Sequence, residues 1–133
     1  IHMGGKVGVL IEVNCETDFC AKSEDFCHLT RELALQIAAQ KPEYVSIESV
    51  PEEVKKEQED LYRRMAEEEK KPPQVVEKII AGRMKKFYEE KCLLEQPYIR
   101  DEEKKVKDLI AETIGRIREN VVVRRFARFS LQD

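Results

Sequence analysis

Three cysteines and a histidine crowd into a short window near the start of the chain, and both residue types are common zinc ligands. They are Cys15, Cys20, Cys27 and His28, with the spacing C-x4-C-x6-C-H. This spacing lacks a C-x2-C knuckle, and on a helix Cys27 and His28 would point about 100° apart. We therefore predict no metal site. We expect these cysteines, and Cys92, to be free thiols that pack as small apolar residues in a reducing compartment.

The sequence offers few other residues for catalysis. It contains no P-loop and no G-x-G-x-x-G, H-E-x-x-H or G-x-S-x-G motif. Neither of its two histidines, His2 and His28, stands beside a recognisable nucleophile and carboxylate. The many acidic residues fall mainly on predicted helical faces, where they are typical of a solvated surface. We therefore predict that the protein is not an enzyme and carries no cofactor.

The remaining segment of interest is 14–22, with the sequence NCETDFCAK, and Phe19 is its most informative residue. A strand is predicted before this segment and a helix after it, so it forms a loop between two rigid elements. One interpretation is that Phe19 covers the core beneath the loop. The other is that Phe19 and its neighbour Asp18 are exposed at the loop tip and enter a pocket on another protein.

The strand before the loop is predicted from apolar residues at every second position, Val7, Val9, Ile11 and Val13. Gly4 and Gly5 precede it and indicate a two-residue hairpin turn, because both can adopt the positive φ that a type I′ turn requires. Residues 1–3 are then the end of a preceding strand or, alternatively, residues added in cloning.

The helix after the loop is predicted to start at Ser23, a good N-cap, and to end before Pro42. Glu24 and Asp25 suit the positive end of its dipole. Its apolar stripe has the three- and four-residue spacing of one helix face and comprises Phe26, Leu29, Leu33 and Ile37, with Ala34 and Ala38 beside them.

Residues 52–90 are predicted to form an antiparallel helical hairpin with a coiled-coil seam. Most positions of 52–71 are charged, and the apolar seam of Val54, Leu61 and Met65 is too thin for a core-facing helix. Pro72 and Pro73 break the helix, and a second stripe follows at Val76, Ile79 or Ile80, Met84 and Phe87. We expect arms of about 25–30 Å that project from the body, the alternative being two helices lying flat on it.

The rest of the chain completes the fold class. Residues 92–99 are predicted to be a loop or short extended stretch, 106–117 an amphipathic helix and 121–129 a strand whose arginines form a ladder of surface charges. Strands from the two chain ends can pair antiparallel if the middle folds back as helices on one side. We therefore predict a two-layer α+β domain with a small antiparallel sheet of about three strands, covered by helices.

The overall charge limits the possible partners. The net charge is −3, which excludes general attraction to nucleic acid or to an anionic membrane surface. No apolar run approaches the roughly 20 residues that a membrane span requires. Partners should therefore be recognised by shape.

The segment from Val7 to Phe19, VGVLIEVNCETDF, resembles the signature segment of the elongation factor Ts family, the guanine-nucleotide exchange factors of bacterial and organellar translation. Further resemblances follow in order along the chain, at residues 32–39, 82–87, 92–97, 119–120 and 123–126. Because the resemblance spans nearly the whole sequence, the chain is identified as a member of that family.

The resemblance implies a partner and a set of contact residues. The family's Thr-Asp-Phe motif falls on Thr17, Asp18 and Phe19, and Asp18 and Phe19 are expected to enter the GTPase domain of elongation factor Tu and promote GDP release. The family usually has Val where this chain has Cys20, a change of similar volume. The first two residues resemble the end of the family's Tyr-Ile-His strand, so His2 is also expected to contact the partner.

The resemblance further implies that residues 1–133 are the family's dimerisation domain, without its N-terminal ubiquitin-associated-like domain. The expected partner is elongation factor Tu, GDP-bound or nucleotide-free, in the bacterial cytoplasm rather than an organellar matrix, and homodimerisation is left open. We expect no direct contact with nucleic acid or membrane. The alternative function is a structural or oligomerisation module that binds a partner through the hairpin, with Asp18 and Phe19 buried and inert.

Overall fold

The computed structural model describes residues 1–132, which form five α-helices and four β-strands. The helices are α1 (Asp18–Ala21), α2 (Glu24–Gln40), α3 (Glu52–Glu68), α4 (Pro73–Lys91) and α5 (Val106–Ile117). The strands are β1 (Val7–Asn14), β2 (Pro97–Tyr98), β3 (Asp101–Lys105) and β4 (Val122–Ser130). The predicted α+β class is confirmed.

The two ends of the chain pair as antiparallel strands, as predicted. β1 runs against β4, with Val7 opposite Ser130 at one end and Asn14 opposite Val122 at the other. The expected sheet of about three strands is wrong, because the strands of residues 1–132 form two separate pairs, β1 with β4 and β2 with β3. The sequence of β3, DEEKK, contains no apolar residue and so gives no strand pattern.

Two of the three arginines predicted to form a ladder of surface charges, Arg124 and Arg125, are exposed, whereas Arg128 is half-buried and donates to the backbone carbonyl of Ala38. The register of the β1–β4 pair shifts after Glu12, and both Arg124 and Arg125 reach this one carboxylate. Their nitrogens lie 3.4 Å and 2.9 Å from its oxygens. The side chains of Glu12, Arg124 and Arg125 are at least partly exposed, which is typical of a solvated ion pair on a strand face.

The chain reverses direction before β1 close to where the glycines predict a turn. His2 forms an antiparallel bridge with Val7, with N–H···O distances of 2.8 Å and 3.2 Å. Gly4 and Gly5 have φ of +66° and +86°, as predicted. The turn spans the four residues 3–6, however, so it is wider than the predicted two-residue hairpin.

The first core lies between β1, α2 and α5. We call these three elements, together with β4 and the β2–β3 pair, the body. The predicted N-cap of α2 is confirmed, since the Ser23 hydroxyl accepts a hydrogen bond from the N–H of Phe26 at 3.3 Å. Leu29, Leu33 and Ile37 are fully buried. Burial of such side chains stabilises the fold by about 1.5–3 kcal/mol each.

The buried face of α2 also carries two polar residues that the apolar stripe did not predict. Glu32 accepts hydrogen bonds from the Tyr98 hydroxyl and the Arg100 guanidinium. Gln36 donates to the side chain of Gln96 at 3.1 Å. Because buried polar groups need partners, these bonds fix the β2–β3 pair against α2.

The second core is formed by α3 and α4, which we call the helix pair. Its buried α4 stripe is the predicted one and comprises Val76, Ile80, Met84 and Phe87. On α3, however, the contacts come from Val54, Tyr62 and Ala66, while the predicted Leu61 is exposed. These α3 contact residues are spaced by four residues or a multiple of four, so their direction shifts gradually around the helix. The apolar residues of a coiled coil instead alternate steps of three and four residues. The coiled coil therefore remains a prediction.

The two helices of the pair run antiparallel, because the end of α3 lies beside the start of α4. Arg63 contacts Glu77 at 2.6 Å, and the guanidinium of Arg83 lies 5.8 Å from the ring centre of Tyr62. The pair rests on the connection after α2, where Val50 is buried in the same cluster. Along residues 1–132, no helix combines the length and apolarity needed to cross a membrane.

Candidate functional site

The segment that follows β1 is a single helical turn rather than the irregular loop that the sequence predicts. Thr17 is the N-cap of α1, and its hydroxyl oxygen accepts a hydrogen bond from the N–H of Cys20 at 3.1 Å. Threonine favours this position because its side chain satisfies an N–H that has no partner within the helix. Asp18 occupies the first turn, where its charge suits the helix dipole. We call residues 17–21 the α1 turn.

The α1 turn is held from the other end of the chain by Glu119, which lies between α5 and β4. One carboxylate oxygen of Glu119 accepts from the N–H groups of Glu16 and Thr17, both at 3.0 Å. The other accepts from the Thr17 hydroxyl at 2.7 Å. In return, the Glu16 carboxylate accepts from the N–H of Asn120 at 2.9 Å.

These bonds also determine the charge state of Glu119. The hydrogen bond from the Thr17 hydroxyl, together with those from the two backbone N–H groups, holds the pKa of the Glu119 carboxyl below its usual value. The carboxylate is therefore ionised at neutral pH. Neutral donors, rather than a cationic partner, stabilise it.

Phe19 points away from the body. Its side chain is 88% exposed, the largest exposure of any aromatic residue in the described chain. Asp18 beside it is exposed as well. The interpretation in which Phe19 covers the core is wrong, and so is the expectation of the oligomerisation hypothesis that both residues are buried. A ring held in water by a fixed turn is available for burial against another molecule.

The side chain of Cys20 lies on the inner side of the same turn. It is 5% exposed and belongs to the first core, against which Cys15 also packs. Burial, with a further contribution from the neighbouring Cys15, raises the pKa of the Cys20 thiol to about 11. Cys20 thus supports the turn from beneath, as an apolar residue of its volume would.

Three possible metal donors meet beneath the turn. The sulfurs of Cys15 and Cys20 and a carboxylate oxygen of Glu119 all lie within 4.8 Å of one another. Cys27 and His28 are on α2, as predicted, and are not part of this group. All four cysteines are free thiols. Nothing in the sequence connects Glu119 with the cysteines, since about a hundred residues separate them.

The structure does not bring all the predicted contact residues together. Thr17, Asp18, Phe19 and Cys20 share one turn, but His2 is paired with the first residue of β1 while the turn follows the last. An eight-residue strand at about 3.3 Å per residue spans roughly 25 Å. His2 and Phe19 therefore lie near opposite ends of β1.

Glu119 is the residue of the candidate site that local patterns do not identify. The resemblance included residues 119–120 but gave them no role. Their role follows from the tertiary structure, because the loop between α5 and β4 lies next to the end of β1 only once the two strands have paired.

Comparison with known proteins gives one consistent family. The family model described as elongation factor TS matches residues 1–131. The chain is similar to elongation factor Ts of Moorella thermoacetica, at 58% identity over 133 residues, which covers all of this chain and 66% of the relative. The relative from Coprothermobacter proteolyticus is 55% identical, with 100% of this chain and 68% of the relative covered.

A third relative, elongation factor Ts of Caldanaerobacter subterraneus subsp. tengcongensis, is 54% identical over 129 residues, covering 97% of this chain and 64% of the relative. The chain thus spans about two thirds of the length of these curated relatives.

Proposed function

Because the chain belongs to the elongation factor Ts family, we propose that it is a guanine-nucleotide exchange factor that promotes GDP release from elongation factor Tu during translation elongation. The observation that supports this most directly is the exposure of Phe19 on a turn that the rest of the chain holds in place. The residues that would meet the partner are Asp18 and Phe19.

The mechanism requires no covalent step. GDP is held on the GTPase largely by contacts to its phosphates and to Mg²⁺, so a side chain wedged between the helices that support those contacts weakens them without touching the base. Burial of the Phe19 ring supplies about 1.5–3 kcal/mol towards this displacement. Asp18 adds a hydrogen-bond acceptor and a negative charge near the ion site.

The neighbouring residues support the wedge. Thr17 uses its hydroxyl within the protein, as the α1 N-cap and as a donor to Glu119, so its task is to position Asp18 and Phe19. Cys20, at 5% exposure, fills the space beneath the turn. His2, at the far end of β1, would contact a separate surface of the partner.

A rigid turn makes the wedge effective, because a flexible loop would lose entropy on entering the groove. Ordering one mobile backbone residue costs about 1–2 kcal/mol, which is comparable to the whole gain from burying Phe19. Exchange is a coupling free energy and is reciprocal: if the wedge weakens GDP binding, GDP weakens binding of the wedge by the same factor. Typical couplings of about 1–3 kcal/mol change affinity by roughly 5- to 150-fold.

The test follows release of a fluorescent GDP analogue from a bacterial elongation factor Tu after addition of excess unlabelled GDP and increasing amounts of the chain. We expect Phe19→Ala to slow the stimulated release by roughly ten- to hundredfold at equal concentration, which corresponds to the lost burial. The variant should remain folded, because an exposed ring contributes little to the core.

Leu10→Ala provides a control that also removes an exposed apolar side chain. Leu10 is 74% exposed in the middle of β1, opposite Ala127, away from both the α1 turn and His2. This substitution should leave the stimulated release unaltered. Equal activity of Phe19→Ala and wild type, with both folded, would reject the proposed wedge and favour the alternative in which the helix pair binds the partner.

The same proposal includes the cellular location of the protein and the extent of its domain. The relatives are bacterial proteins named for translation elongation, so we place the chain in the bacterial cytoplasm with elongation factor Tu as its partner. In this proposal, residues 1–133 are the dimerisation domain and 52–90 its projecting hairpin. Whether two copies associate is measured by sedimentation in the same buffer.

A further inference from the structure

Two thiols and a carboxylate from three separate segments converge beneath the α1 turn. Cys15 follows β1, Cys20 belongs to α1, and Glu119 lies between α5 and β4. We propose that these three residues bind one zinc ion, with a water molecule as the fourth ligand. The sequence alone argued against a metal site, because the spacing of the cysteines lacks a C-x2-C knuckle and Cys27 and His28 point apart on a helix, and Glu119 was not among the candidates.

The separations are compatible with tetrahedral coordination. The three donor atoms lie within 4.8 Å of one another. In a tetrahedral zinc site, bonds of about 2.3 Å to sulfur and 2.0–2.2 Å to oxygen place neighbouring ligand atoms roughly 3.5–3.8 Å apart. Side-chain movements of about 1 Å or less would therefore close the cluster around an ion.

The carboxylate is already oriented as a metal ligand. Hydrogen bonds from the N–H groups of Glu16 and Thr17 and from the Thr17 hydroxyl fix its plane. The oxygen that accepts from the hydroxyl retains a lone pair for an ion. Such hydrogen bonds from outside the ligand set are typical of protein metal sites, where they orient the ligands.

The donor types select the class of ion. Two sulfurs favour zinc, cadmium or cobalt over magnesium and calcium, which prefer oxygen ligands. Binding replaces the two thiol protons, so Zn²⁺, the two thiols and the Glu119 carboxylate give a complex of net charge −1 and release two protons. Cys20 is buried, whereas Cys15 and Glu119 are partly exposed, so an ion can enter from the solvent side and keep a water ligand there.

The expected consequence is a more rigid turn. The ion would join the end of β1, α1 and the loop before β4 directly beneath Asp18 and Phe19. The metal proposal does not depend on the exchange activity, because binding can be measured on the isolated chain.

The test is a titration of the reduced, metal-free chain with Cd²⁺ and Co²⁺, followed by competition with Zn²⁺. We expect one ion per chain, thiolate-to-metal absorbance with Cd²⁺ and the visible bands of tetrahedral Co²⁺. Cys20→Val preserves the volume beneath the turn and should weaken binding at least tenfold, as should Glu119→Gln. Circular dichroism establishes that each variant is folded.

Cys27→Ala is the matched control, since Cys27 is also a partly exposed free thiol of the same window but is not part of the cluster. It should bind the ion as wild type does. The proposal is overturned if the wild-type chain shows no thiolate absorbance with one equivalent of Cd²⁺. It is equally overturned if Cys20→Val and Glu119→Gln bind as tightly as wild type, or if Cys27→Ala removes binding.

Discussion

The α1 turn and the helix pair both present side chains to solvent, but different contacts hold them. The α1 turn depends on Glu119, which is more than a hundred residues away in sequence. The helix pair depends on contacts between consecutive helices, such as the Arg63–Glu77 pair across fourteen residues. We therefore expect the position of the turn to depend on the integrity of the whole body, and the helix pair to open locally without the body.

The exposed aromatic residue shows what this difference means for binding. Phe19 is exposed at a point where backbone and cap are fixed, whereas the aromatic residues of the helix pair, Tyr62, Phe87 and Tyr88, serve its own small core. A binding surface that is already ordered loses less entropy on association. The comparison therefore favours the turn over the helix pair as the contact with a partner, and three measurements test it.

The largest effect is expected from cavities in the two cores. Leu33→Ala, in the fully buried centre of the body, should lower the free energy of unfolding by roughly 2–5 kcal/mol in urea denaturation. Hydrogen exchange should then accelerate throughout the body, including the α1 turn. Ile80→Ala, in the helix pair, should accelerate exchange in α3 and α4 and leave the N–H of Cys20 protected. Equal loss of protection in both regions would show that the molecule opens as one unit.

An intermediate effect is expected from the N-cap of α1. Thr17→Ala removes the hydroxyl that caps the turn and donates to Glu119, and caps of this type contribute about 0.5–2 kcal/mol. Exchange of the Cys20 N–H should increase, while the helix pair is unaffected. Thr17→Ser, which keeps the hydroxyl, serves as the control and should restore most of the protection. A Cys20 N–H that stays protected in Thr17→Ala would contradict the role of the cap.

The smallest effect is expected from salt, which should change the pKa of one of two paired carboxylates, Glu32 and Glu77, more than that of the other. Burial opposes ionisation of Glu32, but hydrogen bonds from Arg100 and Tyr98 outweigh it and lower its pKa. On the helix pair, the hydrogen bond from Arg63 lowers the pKa of Glu77. Both carboxylates therefore contribute stability above their usual pKa of 4.5, and the contribution is lost as the pH falls through the lower folded value.

Salt distinguishes these two carboxylates because screening acts on exposed charges. In an NMR titration, 1 M salt should move the pKa of the exposed Glu77 towards its usual value and leave that of the buried Glu32 nearly unchanged. Arg63→Ala should remove the salt dependence of Glu77. Equal responses of the two carboxylates would contradict the difference in environment between the body and the helix pair.

Much of the fold could be predicted because its elements have strong local patterns. The stripe of α2 and the cap at Ser23 are sufficient to locate that helix, and the alternation of β1 identifies its buried face. The charged strand β3 could not be predicted, because its pairing with β2 is held by contacts to Glu32 and Gln36 on α2. The contact face of α3 was misplaced by one residue, since Tyr62 and Ala66 were not counted as seam positions.

For the candidate site, the residue types were identified and their arrangement was not. The motif at 17–19 indicated which residues to consider, but burial and exposure of Phe19 were both compatible with the sequence. The exposure is decided by the turn: Thr17 caps α1, Cys20 then faces the core and Phe19 faces solvent.

The sequence by itself determined the family, the helix stripes and the residues at the tip of the α1 turn, because each is recorded in spacing along a short stretch of chain. Only the tertiary structure decided that Glu119 holds the turn and that two thiols and a carboxylate meet beneath it. Those contacts join residues that are far apart in sequence and that meet only when β1 pairs with β4. No pattern within a short stretch of chain can therefore predict them.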